Sequence, residues 1–281
     1  MITENRVIRL KSTDNPDAPS GRSRRWSPPP SKTGPGGRVV MLRERNLVML
    51  KQDLILRNPM RLLGRENEDI IKPGSFGAVL ARHGVGKTAM VVQIALNSLL
   101  QQKDVLHISL NEPVGKVSLW YQEVFEQLAQ QYQVPQIDQL WDAILPHRFI
   151  MTFQVEGFSM PKLEERLTDL TAQNIFIPNM VIIDGLPFGD QTRPMLQELK
   201  RLATELGLPV WFTVTIHRHQ DPANDGLPVQ LSPVQDLFDT AIALQPDNQT
   251  IHIEAIKGAP GNSAETALTL DPATMLIQSK V

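Results

Sequence analysis

Gly77-Ala78-Val79-Leu80-Ala81-Arg82-His83-Gly84-Val85-Gly86-Lys87-Thr88 is an apolar run that breaks into glycines, then Lys-Thr, then a helix-forming segment. That order reads as a nucleotide phosphate loop of the Walker A kind. Backbone N–H groups around Gly84 to Gly86 can curl about phosphate oxygens, and the helix after them points the positive end of its dipole inward. Lys87 adds a mobile charge and Thr88 a hydroxyl for Mg²⁺. Ala78-Val79-Leu80 suits a buried strand, and Met90, Val91, Ile94 and Ala95 recur at helical spacing directly after the loop. Ala81 stands where the usual pattern opens with glycine. The alternative is an ordinary strand-turn-helix carrying a solvated lysine.

Outward from the loop, short β-rich runs alternate with amphipathic stretches from Gly74 onward. Strands are expected at 78–80, 105–109, 149–153, 180–183, 210–215, 240–244 and 250–255. Helices are expected at 87–100, 114–132, 160–172 and 193–206, the last stopped by Gly207. This is the pattern of an α/β fold: a mostly parallel twisted sheet flanked by helices. The closing strands have no helix between them, which implies a C-terminal antiparallel edge turning near Pro246-Asp247-Asn248.

In a parallel sheet ligands gather at the carboxyl ends of strands. Met180-Val181-Ile182-Ile183-Asp184-Gly185 is an apolar strand ending in a carboxylate, so Asp184 is expected to face the Mg²⁺ held by Thr88, through a water. Another strand ends in Ser109-Leu110-Asn111-Glu112-Pro113, where Glu112 fits two roles. It can orient water for phosphate hydrolysis, or it can complement the dipole of the helix it opens. His217, Arg218 and His219 are read as sensor or strand-end polar residues rather than a metal site, because no cysteine and no further ligand cluster accompanies them.

The 281 residues are 41% apolar and 21% charged, with a formal net charge of −2, which suits a globular protein with one sizeable core. Bulk electrostatic attraction to nucleic acid is not indicated. The absence of cysteine excludes disulfides and thiolate chemistry. No apolar stretch reaches the ~18 residues of a spanning helix, and no secretory signal order opens the chain, so a cytoplasmic protein without a membrane partner is expected. Residues 1–38 are basic and rich in Pro, Gly and Ser, and read as a disordered tail. Arg22, Arg24, Arg25 and Trp26 there suit either a solvated tail or contact with nucleic acid. Residues 39–73 form an apolar connecting or subunit-docking segment, and 74–281 the nucleotide-binding domain.

Taken together these motifs resemble the RecA-like P-loop ATPase core of DnaB-type replicative helicases and KaiC-like ATPases. Ala81-Arg82 followed by Gly86-Lys87-Thr88-Ala89 is similar to the helicase loop, in which Ala-Arg replaces the opening glycine. Ser109-Leu110-Asn111-Glu112 resembles the segment bearing the family's catalytic Glu, and Ile182-Ile183-Asp184 its Mg-associated strand. Thr215-Ile216-His217-Arg218 occupies the place of the polar sensor strand, and the stretch from Ala255 through Lys257 to Gly261 that of the segment reaching a neighbouring subunit's nucleotide. The likeness runs from about Asn58 to Ile277.

The resemblance implies ATP and Mg²⁺ as cofactors, with Arg82, His83, Gly84, Val85, Gly86, Lys87 and Thr88 binding nucleotide and Thr88 and Asp184 serving the metal. Glu112, Lys87 and Lys257 are the implied catalytic set. It further implies a homo-oligomer with nucleotide at the subunit interface, and single-stranded DNA as a candidate partner. Register puts Asn111 at the helicase Glu, with Glu112 matching the second of two acids in KaiC-like proteins. The Arg that follows the family's Lys by two residues is Ala259 here. A slow or partner-stimulated ATPase in a DNA-associated process is therefore expected, or else a nucleotide-gated regulatory or scaffold protein with little hydrolysis.

Overall fold

A computed structural model of the chain describes residues 48–59, 63, 70–189, 191–217, 227–258 and 267–280. The basic tail, Arg218, His219, the loop 220–226 and Ala259 to Gly261 lie outside the described residues.

Nine strands form one sheet in the order β3-β2-β4-β5-β1-β6-β7-β8-β9. They are β1 (Phe76–Ala81), β2 (Val105–Ser109), β3 (Arg148–Thr152), β4 (Met180–Asp184), β5 (Val210–Thr215), β6 (Thr240–Pro246), β7 (Ile251–Lys257), β8 (Ala267–Leu270) and β9 (Ile277–Lys280). The first six pair in parallel and the last three antiparallel. The helices are α1 (residues 48–57), α2 (Lys87–Leu100), α3 (Val114–Gln131), α4 (Ile137–Ile144), α5 (Met160–Ala172) and α6 (Thr192–Leu206).

The central strands are apolar along their length because both faces are covered. One core holds Val79, Val105, Ile182 and Trp211 under α2, α3 and α4. The other holds Leu80, Ile108, Ile183 and Phe212 under α5 and α6. Gly77 is opposite Trp211 in the ladder, and a Cβ there would stand 2.6 Å from the indole. The glycine opening the 77–88 stretch therefore makes room for a core tryptophan.

The mostly parallel α/β sheet with an antiparallel C-terminal edge agrees with the sequence reading. The 246–248 turn does too, closed by the Asp247 N–H donating to the Thr250 carbonyl at 2.8 Å. α4, β8 and β9 are additions to it. Within the connecting segment, Leu54, Leu63 and Ile71 are buried in the α2-side core, while Val48, Met49 and Leu56 stay exposed.

Candidate functional site

Parallel pairing brings the carboxyl ends of β1, β2, β4 and β5 to one side of the sheet, where the chain turns out of Ala81 into the loop. Gly84 and Gly86 take φ of 77° and 105°, left-handed values that cost glycine little. Gly86 caps α2, which has neither a side-chain cap nor an acid in its first turn, so its leading N–H groups remain for a ligand. A Cβ on Gly86 would lie 2.9 Å from Leu270 and 3.2 Å from the Met275 sulfur, so the C-terminal hairpin presses on the loop from behind.

The Lys87 ammonium donates to the carbonyls of Ala81 at 3.2 Å and Arg82 at 3.1 Å, folding back over its own loop. Burial lowers its pKa, and the nearby Asp184 carboxylate works against that shift. Asp184 ends β4 and is 8% exposed. Its Oδ2 accepts from the Thr88 hydroxyl at 2.9 Å and its Oδ1 from the Thr213 hydroxyl at 2.6 Å. The Thr213 oxygen in turn accepts the Gly185 N–H at 3.0 Å. β4, β5 and the first turn of α2 thus converge on one carboxylate.

Beneath Asp184 the same sheet face carries His107, fully buried, with Nε2 3.9 Å from Asp184 Oδ2. Its Nδ1 is 3.0 Å from the Tyr121 hydroxyl of α3. The Arg148 guanidinium stacks over the rings of Tyr121 and Trp141 at 4.9 and 5.6 Å. Burial pushes the His107 pKa down to about 4, with Asp184 opposing and Arg148 reinforcing the shift, so the ring is neutral near pH 7. Burial also raises the Tyr121 pKa, keeping the phenol protonated.

Glu112 lies at the rim, its N–H donating to the Ser109 hydroxyl at 3.1 Å. Its carboxylate pairs with Lys116 at 2.7 Å, one turn along α3. His83, Gly84, Gly86, Lys87, Thr88, Asp184 and Glu112 line one cleft of about 250 Å³. Asn111, Lys116, Trp120, Thr213, Thr215 and Met275 also line it.

Arg82 instead lines a neighbouring cavity with Ile216 and His217, and Val85 packs on the hydrophobic core. Lys257 stands opposite Ala241, at the end of β6 away from the cleft, and donates to the Gln235 carbonyl. It does not approach the loop between Ala81 and Lys87.

His107, Thr213, Lys116 and Trp120 belong to the site without having been singled out by sequence. A signal existed for His107 and Thr213, each a polar residue set between apolar neighbours inside its strand. Lys116 and Trp120 carried none, since Glu112, Lys116 and Trp120 meet the cleft only because α3 lies along it at four-residue spacing.

The arrangement supplies an anion cradle of N–H groups and an ammonium, a hydroxyl and carboxylate as hard oxygen donors, and a second carboxylate at the mouth. Oxygen donors in that number suit Mg²⁺, which keeps several waters and takes few protein ligands. Among the described residues no cluster of three or more His, Cys, Asp or Glu could hold a metal by itself. No helix among them is long and apolar enough to cross a membrane. The chain matches no protein-family model and no curated protein sequence.

Proposed function

We propose that this chain is a RecA-like P-loop protein that binds Mg²⁺ and ATP in the cleft, acting as a slow or partner-stimulated ATPase in a DNA-associated process, helicase-like or as a loader. The observation that carries the reading is the convergence of Lys87, Thr88, Asp184 and Thr213 beside an uncapped helix start at the carboxyl ends of parallel strands. Lys87 leaves the Ala81 and Arg82 carbonyls for the β and γ phosphate oxygens, while the Gly84 to Gly86 backbone cradles the phosphates. Thr88 and Asp184 hold the Mg²⁺, the latter through water, and the ion supplies charge neutralisation at the phosphates. Glu112 orients the attacking water once it separates from Lys116. Lys257, at the far end of the sheet, acts on the nucleotide of an adjoining copy in a homo-oligomer.

A second reading is a nucleotide-gated regulatory or scaffold protein with little turnover. The Glu112–Lys116 pair favours it, because a carboxylate neutralised by its own helix is a poor base. ATP binding and hydrolysis measured with and without single-stranded DNA, on the parent and Lys87→Ala, separate the readings. DNA-stimulated turnover lost in the variant supports the ATPase. Tight binding without turnover supports the scaffold, and ATP affinity untouched by the substitution overturns both.

A further inference from the structure

His107 occupies the middle of β2 with no exposed surface, and its ladder neighbours Ile150 and Ile182 are apolar. A polar ring placed there needs partners for both nitrogens. Only Nδ1 has one: among the described residues Nε2 makes no hydrogen bond.

The neutral ring carries one N–H, and two arrangements are open. If Nδ1 carried the proton it would donate to Tyr121, leaving a buried phenol O–H unused and aiming the Nε2 lone pair at the Asp184 carboxylate. If Tyr121 donates to Nδ1, the proton sits on Nε2 and faces that carboxylate as a donor. The second satisfies more groups and opposes no like charges. The Arg148 guanidinium on the Tyr121 ring strengthens the phenol as a donor, which favours the same tautomer.

We propose that His107 is a positioning residue for Asp184, its Nε2–H directed at Oδ2 from beneath the sheet face, with Tyr121 fixing the tautomer. The proposal rests on the reading of the cleft as a Mg²⁺-nucleotide site. Oδ2 accepts from the Thr88 hydroxyl, whose oxygen lone pairs stay available to Mg²⁺. Thr213 holds Oδ1 from one side, and His107 gives Oδ2 a second donor from the other after closing the present 3.9 Å by about 1 Å. With both oxygens held, the carboxylate keeps its orientation toward the ion. Such outer groups orient those serving a metal and tune its affinity.

The test uses the full chain in three forms: the parent, His107→Phe, which keeps an aromatic ring without the N–H, and His107→Gln, which restores a side-chain N–H. Nitrogen-15 NMR of the parent imidazole, without nucleotide, is expected to show the Nε2–H tautomer, with a resonance that moves in Asp184→Asn. Binding of a fluorescent ATP analogue, with Mg²⁺ and with EDTA, gives a ratio of affinities. His107→Phe is expected to lower that ratio about tenfold, and His107→Gln to recover most of it. An Nδ1–H tautomer, or a ratio in His107→Phe equal to the parent's, overturns the proposal. Failure of the parent to bind the analogue at all overturns the nucleotide reading instead, and the tautomer and its response to Asp184→Asn still decide whether His107 addresses that carboxylate.

Discussion

Gln93 is a glutamine at 2% exposure on α2, the helix that follows the glycine loop at Gly84 and Gly86. Its amide N–H donates to the Met275 carbonyl at 2.7 Å and to the Ala89 carbonyl at 3.3 Å, and its oxygen accepts the Ile277 N–H at 3.0 Å. One side chain therefore fastens the β8–β9 turn to the loop helix, and through Met275 and Leu270 presses that turn on Gly86. Gln93→Leu fills a similar volume while removing the partners of a buried carbonyl and a buried N–H. Each orphaned group costs about 1–3 kcal/mol, partly offset by added apolar burial, giving a net loss of about 3 kcal/mol. Urea unfolding reads this as a fall of about 1 M in the midpoint, for a slope of about 3 kcal/mol/M. ATP affinity should weaken too, since Met275 lines the cleft. A midpoint within about 0.3 M of the parent would refute the reasoning, because it would mean the hairpin is held by its apolar contacts alone.

Three further outcomes are expected. The His107 pKa is about 4 folded against an ordinary 6.5, so the unfolded chain takes up its proton first. Stability is then full above about pH 6.5 and falls by about 3 kcal/mol as pH drops toward 4; urea titrations of parent and His107→Phe without nucleotide should differ in this slope, and parallel curves would contradict it. Thr213→Val removes both a donor to Asp184 and the acceptor of the Gly185 N–H, so a loss of about 2 kcal/mol is expected in the same assay. Glu112→Gln should cut ATP turnover about a hundredfold with folding little changed, and an unaltered rate would leave Glu112 as the start of α3.

Much of the fold is legible in the chain, because a strand buried on both faces must be apolar and a covering helix must repeat its apolar residues. β1, β2, β4 and β5, and the helices α2, α3, α5 and α6, follow from that rule. β8 and β9 do not, being four-residue strands placed by the β7 ladder, by Gln93 and by the packing behind Gly86. α4 spans only Ile137–Ile144, too short for its period to stand out.

By itself the sequence determined the local chemistry: two glycines free to take left-handed turns, a lysine and threonine at a helix start, and a carboxylate at a strand end. Those properties depend on a few consecutive residues. Tertiary structure alone decided which of these groups meet. Strand order set Asp184 between Thr88 and Thr213, ladder register placed His107 beneath it, and the lie of α3 brought Lys116 and Trp120 to the cleft. Each of those encounters joins residues whose approach depends on the course of the backbone between them, and periodicity carries no record of that course.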